Sequence, residues 1–303
     1  MSADSKIEWT DHTFNIVWGC TKVSPGCKHC YADSFAKRTG HDVWGADKPR
    51  RVLSDNNWAQ PIKWNAVAAR KGQMARVFCS SMADVFEDHP TNAEQRKRLW
   101  PLIRSTPWLQ WLLLTKRPEN VRGMVPETWL SEWPANVLPG TTVEDQEWFD
   151  KRSPCLATVP SPWFLSYEPA LGPIDFGGLV GVSWLIVGGE SGGGARPMSE
   201  EWVSSARDQA TKARVAFFYK QKIAGGHKVS LPMLDGRSWS EMPTAVDPPH
   251  PRDMPEPLPG CVMGGSGACK ACSAPPGSHC RWCAMRAASD REIARLRAVG
   301  VGR

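Results

Sequence analysis

Trp111-Leu112-Leu113-Leu114-Thr115-Lys116-Arg117 and Trp184-Leu185-Ile186-Val187-Gly188-Gly189-Glu190 are the two stretches on which the fold turns. Each is apolar at every position, not at alternate ones, and then ends abruptly in polar or glycine residues. Such strands are covered on both faces, the condition of a parallel sheet flanked by helices. Similar short runs at residues 14–18, 77–80, 109–115, 137–142, 163–166, 184–187 and 215–219 predict seven strands. Helix signals fall between them, notably over 92–104 and 199–214, where Ser199 suits the cap and Glu200 and Glu201 the positive first turn. Strands alternating with helices predict an α/β fold, a partial or closed parallel (β/α) barrel.

Polar residues cluster just after the runs, at Ser80-Ser81-Met82-Ala83-Asp84, Thr142-Val143-Glu144, Tyr167-Glu168-Pro169 and Lys220-Gln221-Lys222 as well as in the two stretches above. In a parallel barrel these positions converge on one rim, where such folds carry their sites. Glu168 and Glu190 end apolar strands, and a carboxylate there needs a partner. Lys116, Arg117, Arg196 and Lys220 are the candidates. Lys116, Glu168, Glu190 and Lys220 are therefore candidate catalytic residues, and Arg117 and Arg196 candidate substrate contacts; a structural ring of ion pairs below the site is the competing reading. Gly188 and Gly189 would let backbone approach a ligand, although a mobile turn explains glycines equally well.

The chain has 303 residues, 41% of them hydrophobic and 22% charged, which rules out disorder over its whole length. No stretch approaches the ~20 consecutive apolar residues that span a bilayer. Met1-Ser2-Ala3-Asp4-Ser5-Lys6 lacks the apolar core of a signal peptide, so a cytoplasmic protein without membrane contact is expected. The formal charge of +6 permits a polyanionic partner without requiring one. Ten cysteines in such a chain read as reduced thiols or metal ligands before disulfides.

Cys20, Cys27 and Cys30 form a C-x6-C-x2-C set after the first predicted strand, with Pro25-Gly26 turning the chain between them. Three thiolates on a four-iron cluster leave one iron open for ligand chemistry. His29 or His12 as a fourth ligand would close a zinc site instead, and packing or redox cysteines are a third reading. Cys79 and Cys155 lack metal spacing and are read as packing residues, as are Trp108, Trp111, Trp163 and Trp184 in or beside strands.

The three-cysteine loop after a first barrel strand resembles that of the radical S-adenosylmethionine enzymes, although their usual spacing is C-x3-C-x2-C. The chain more closely resembles the phage Gp37/Gp68 family of three-Cys-motif proteins. The matching segments are Ile7-Glu8-Trp9-Thr10-Asp11, Gly19-Cys20 through Cys30-Tyr31-Ala32, Ser81-Met82-Ala83-Asp84-Val85-Phe86, Leu114-Thr115-Lys116-Arg117-Pro118, Val143-Glu144-Asp145-Gln146, Glu168-Pro169 and Gly188-Gly189-Glu190-Ser191-Gly192 with Ala195-Arg196-Pro197-Met198. The resemblance implies a barrel of the radical type that binds a [4Fe-4S] cluster on Cys20, Cys27 and Cys30 together with S-adenosylmethionine, and an electron donor to reduce it. It places Ser80, Ser81 and Asp84 near the cofactor's amino group and Thr142 and Glu144 near its ribose, with Glu168, Gly188, Gly189 and Glu190 completing the cofactor site. Ser81 or Asp84 capping a helix, and a helix starting at Glu144-Asp145-Gln146, are the competing structural readings.

Residues 1–240 are read as the barrel, with a tryptophan-bearing excursion at 41–75 that lacks a clear strand. There Trp44, Trp58 and Trp64 interleave with Lys48, Arg50, Arg51 and Lys63, a pattern that would suit single-stranded nucleic acid. Recurrent proline marks 241–260 as a linker. Residues 261–303 carry Cys269, Cys272, Cys280 and Cys283, a paired-knuckle spacing for zinc or a second cluster, followed by a basic helix with Arg286, Arg291, Arg295 and Arg297. The leading expectation is a radical enzyme that modifies or repairs a nucleic acid or nucleotide. A non-catalytic, metal-stabilised nucleic-acid-binding protein, or a radical enzyme acting on a partner protein, are the alternatives.

Overall fold

A computed structural model describes residues 5–191 and 194–244. Eight strands make one open sheet: β1 (His12–Phe14), β2 (Ala75–Cys79), β3 (Leu109–Thr115), β4 (Val137–Val143), β5 (Trp163–Tyr167), β6 (Val182–Gly188), β7 (Ala216–Ala224) and β8 (His227–Ser230), lying side by side in that order. The first seven are parallel and β8 returns antiparallel to β7. The fold is thus an α/β partial barrel, not a closed one.

Curvature follows from Trp9, which precedes β1. Its ring centroid lies 4.8 Å from that of Phe78 on β2 and 5.9 Å from that of Trp184 on β6. Four strand spacings of about 4.8 Å separate β2 from β6 along the sheet, roughly 19 Å if it were flat. One indole touches both only because the sheet curls around it. Phe78, Leu112, Leu138, Phe164, Trp184, Ile186 and Phe218 complete this inner layer. Alternate residues, among them Val77, Trp111, Leu113, Leu165, Leu185 and Phe217, join the outer core beneath the helices. That is why the runs read as apolar at every position. Gly140 in β4 is part of this packing, since a Cβ there would stand 2.5 Å from Phe164 Cζ.

The helices begin where local chemistry directs. Ser199 caps Glu200–Ala213 by accepting from Glu201 N at 3.2 Å, as expected. Asp145 caps Gln146–Ala157 through Trp148 N at 3.1 Å. Pro90–Arg104 starts at the N-cap His89.

Four expectations need correction. Residues 14–18 are not one strand, because β1 ends at Phe14 and Val17–Trp18 pairs antiparallel with Arg51–Val52 in a separate ribbon. The excursion contains helices Asp55–Trp58 and Gln60–Lys71, which bury Trp58 and Trp64 at 6% exposure each. Arg50 is also buried, at 5% exposure, so Arg50, Trp58 and Trp64 are withdrawn from the exposed binding surface expected of 41–75, while Lys48, Arg51 and Lys63 remain exposed. Cys79 is buried as expected, but Cys155 is only half-buried.

Glu241 belongs to the barrel and not to a linker: its N donates to Phe217 O at 3.0 Å and its O accepts from Trp184 Nε1 at 2.9 Å. The rest of the proline-rich segment from 245 onward, and the module with Cys269, Cys272, Cys280 and Cys283, lie outside the described residues. Among the described residues no helix is long and apolar enough to cross a membrane.

Candidate functional site

At the C-terminal ends of the parallel strands lies a cavity of about 440 Å³. Cys20, Cys27 and Cys30 all line it, together with Ser80, Ser81, Asp84, Lys116, Arg117, Thr142, Glu168, Gly189, Glu190 and Lys220. Glu144, Gly188 and Arg196 are not among the lining residues. Ile7, Trp9, Phe78 and Leu114 supply an apolar wall.

The cysteine loop is held across this cavity by three charged networks. At its start, Arg117 Nη1 donates to Asp84 Oδ2 at 3.0 Å and to Cys20 Sγ at 3.6 Å, while Nη2 donates to Thr21 O at 2.7 Å. Thr21 N donates to Glu87 Oε1 at 2.7 Å, and Arg50 clamps the same carboxylate through Nε and Nη2, both at 2.8 Å. At the turn, Ser24 Oγ donates to Glu144 Oε1 at 2.6 Å. Glu144 has no solvent exposure and also receives Lys116 Nζ at 2.6 Å and Arg152 Nη1 at 2.9 Å. At the far side, Glu190 bonds His29 Nδ1 at 2.9 Å and accepts from Arg196 N at 2.8 Å and from the Arg196 guanidinium. Arg196 Nη2 reaches on to Pro25 O at 2.9 Å.

These networks change the reading of several residues. Arg117 and Arg196 spend their donors on carboxylates and on the loop backbone, so they position the loop. Glu144 does the same from below the cavity. Asp84 caps no helix: it accepts from Thr115 Oγ1 at 2.7 Å and from Lys116 N at 3.0 Å, and the next helix waits until Pro90. Ser81 Oγ accepts from Asn15 Nδ2 at 3.1 Å and likewise caps nothing. The helix expected near Glu144 does start there, with Asp145 as its cap.

Glu168 and Lys220 form a further ion pair at the cavity wall. Lys220 Nζ stands 2.8 Å from Glu168 Oε1, and Ser166 Oγ donates to Oε2 at 3.1 Å. Gly188 lies behind them, and a Cβ there would be 2.7 Å from Glu168 Oε1. Gly189 O accepts from Gln221 Nε2 at 2.8 Å. Sequence reasoning missed Glu87, Arg152 and Ser166, and read Arg50 as a surface cation; Arg50 meets Glu87 from 37 positions away, which no local pattern marks.

Burial pushes the Cys20 thiol up to about 12, with Asp84 adding to the effect and the Arg117 guanidinium opposing it. Burial also raises Cys30. For Glu190 burial works against the charge, but the bonds from Arg196 and His29 prevail and bring its carboxyl down to about 2. Burial disfavours the Arg117 charge, yet Asp84 beside it holds the guanidinium above its ordinary range.

The donor set fits a polynuclear cluster. The three thiols are free of disulfides and open on one cavity. A single tetrahedral ion with 2.3 Å bonds draws its sulfurs to about 3.8 Å of one another. Among the described residues no three His, Cys, Asp or Glu side chains form a group that could hold a single metal ion. The closed zinc site is not pre-formed either, because His29 is engaged by Glu190 and the His12 ring stacks on Trp64 at 4.4 Å.

The fold and site define an open α/β barrel with a clamped three-cysteine loop over its strand ends. The chain belongs to the family described as "Protein of unknown function (DUF5131)", whose model matches residues 4–243; the match carries that description and not the Gp37/Gp68 name. No curated protein matches. Among solved structures the chain is similar to spore photoproduct lyase complexed with dinucleoside spore photoproduct, at TM-score 0.46 and 13% identity over 69% of this chain and 74% of that one. A cysteine-to-serine variant of the lyase gives 0.45 at 13% over 69% and 74%. A doubly substituted variant with bound AdoMet and dinucleoside spore photoproduct gives 0.43 at 13% over 70% and 64%. At this identity the likeness is one of fold.

Proposed function

We propose that the chain is an enzyme of the radical S-adenosylmethionine type, with a [4Fe-4S] cluster on Cys20, Cys27 and Cys30, S-adenosylmethionine beside it, and a nucleic acid or nucleotide as substrate. The observation that carries this reading is the delivery of three unpaired thiols, from one loop held by buried ion pairs, into a single cavity at the ends of parallel strands. When bound, the cluster and cofactor supply one-electron reductive cleavage of a sulfonium, for which an external electron donor is needed.

The chain's own residues bind, orient and exclude water. Asp84, Glu87, Glu144 and Glu190 hold the loop through their cationic partners. Ser80, Ser81 and Glu168 offer acceptors to the cofactor's ammonium, and the Thr142 hydroxyl faces the same space for its ribose. Lys220 balances the Glu168 charge at 2.8 Å in the cavity wall. Trp9, Phe78 and Leu114 keep one wall dry, which strengthens every polar contact in the cavity.

Anaerobic reconstitution with iron and sulfide tests the reading. About four irons on the three-cysteine loop are expected, with reductive cleavage of S-adenosylmethionine lost in Cys20→Ala, Cys27→Ala and Cys30→Ala. Zinc on Cys269, Cys272, Cys280 and Cys283 is counted in the same analysis. Zinc alone at both places, or cleavage retained in any of the three variants, overturns it.

A further inference from the structure

Beside the cavity mouth runs a second cleft of about 700 Å³. One wall is a face of the helix Tyr31–Arg38, where Tyr31, Ser34, Phe35 and Arg38 recur at helical spacing and all point outward. This helix packs its opposite side through Ala32 and Ala36 against Val43 and Met82, which leaves Tyr31 and Phe35 on the outward side. Tyr31 is 50% and Phe35 37% exposed. Trp18 meets Phe35 edge-on at 5.8 Å.

Cations attend these rings. Arg51 Cζ lies 4.5 Å from the Trp18 ring and Arg38 Cζ 5.5 Å from that of Phe35, and Lys28 lines the cleft. No carboxylate lines it among the described residues, and Asp33 on the same helix is turned away and paired with Lys22 and Lys37. His29, Tyr31, Ser81 and Ser191 line both cleft and cavity, so an occupant of one is led into the other.

We infer that this cleft is a binding track for single-stranded nucleic acid, with unpaired bases stacking on Phe35 and Tyr31 and phosphates meeting Lys28, Arg38 and Arg51. Exposed rings interleaved with cations suit a polyanion that carries flat faces, and a duplex hides those faces within its stack. The inference deepens the proposed function by giving its substrate class.

The test uses the full chain and no cofactor, so its failure is separable from that of the radical chemistry. The probe is a fluorescein-labelled single-stranded dodecamer of deoxythymidine, read by anisotropy against a duplex of equal length and against heparin as a polyanion without bases. Single strand should bind in preference to both. Phe35→Ala should weaken it roughly 10- to 100-fold, the effect of losing one base stack, and Phe35→Trp should restore it. Arg38→Ala should reduce the slope of log affinity against log salt by about 0.7, one phosphate contact on a single strand. Unchanged binding in Phe35→Ala, or equal affinity for heparin, overturns the track and leaves the face to a protein partner.

Discussion

Gly26 lies so close to Glu144 that a Cβ on the glycine would stand 2.6 Å from Glu144 Cγ and nearer still to Oε1. The glycine between the first two cysteines is thus fixed by a carboxylate rising from the end of a distant strand. Ser24 Oγ, 120 positions before Glu144, bonds the same oxygen. Loop and strand end are one unit, and the cysteines inherit their position from it.

Gly26→Ala should therefore displace either the turn or the carboxylate. A stability loss of about 1–3 kcal/mol is expected from such overpacking, with iron uptake on reconstitution falling alongside. Gly123 is the control, because a Cβ there meets nothing within 4 Å. Thermal melts and iron content of Gly26→Ala and Gly123→Ala, measured together, check this; equal behaviour of the two contradicts it.

Glu144→Ala leaves Arg152, 3% exposed, without its carboxylate. Removing one member of a buried pair costs about 3–5 kcal/mol, whereas replacing both by apolar groups of similar volume is far milder. Urea unfolding of Glu144→Ala and of the double variant Glu144→Leu/Arg152→Met should show the double variant to be the more stable of the two.

The sheet was legible because residues 111–114 of β3 and 184–187 of β6 are apolar at every position and are followed by polar or glycine residues. The first strand was misread because Asn15 leaves the ladder: its Oδ1 accepts from Met82 N at 2.7 Å and its Nδ2 donates to Ser81 Oγ. β8 was missed for its polar His227-Lys228-Val229-Ser230, although Gly225-Gly226, both at positive φ, is a two-residue hairpin signal. Pro61, Trp64, Asn65 and Ala68, all buried, carry the helical period that places Trp64 in the core. The cysteines and rim residues were visible as a set. Of their pairings, Glu168 with Lys220 and Glu190 with Arg196 fall among the expected partners, whereas Arg117 with Thr21 and Arg196 with Pro25 join segments that share no local pattern.

Acid should loosen the far side of the loop. The Glu190 carboxyl sits at about 2 in the folded chain against an ordinary 4.5. A depressed carboxyl stabilises the fold fully above its unfolded value and loses that contribution as pH falls through the folded one, here from about pH 5 down to about 2. Arg196→Met removes the larger opposing interaction, so the decline of unfolding free energy with acid should be shallower in the variant. Urea titrations at intervals across this window check it; superimposable slopes would count against the Glu190 assignment.

Where the barrel unit ends gives the last prediction. Trp239 is 9% exposed, stacks edge-on with Phe217 at 5.7 Å, and donates from Nε1 to Leu234 O at 3.1 Å. Its carbonyl accepts from Tyr219 N at 2.8 Å, and Glu241 O holds the indole N–H of Trp184. A chain ending at Gly236 loses this cover: one buried tryptophan is worth about 3–5 kcal/mol, and the stranded Trp184 donor about 1–3 more. A chain ending at Thr244 keeps every one of these contacts. The shorter chain should melt well below the full-length protein, and the longer one should melt with it and take up the same iron on Cys20, Cys27 and Cys30. Iron lost from the chain ending at Thr244 would mean that cysteines beyond 260 ligate the same cluster, and the three-thiolate assignment would fall with it.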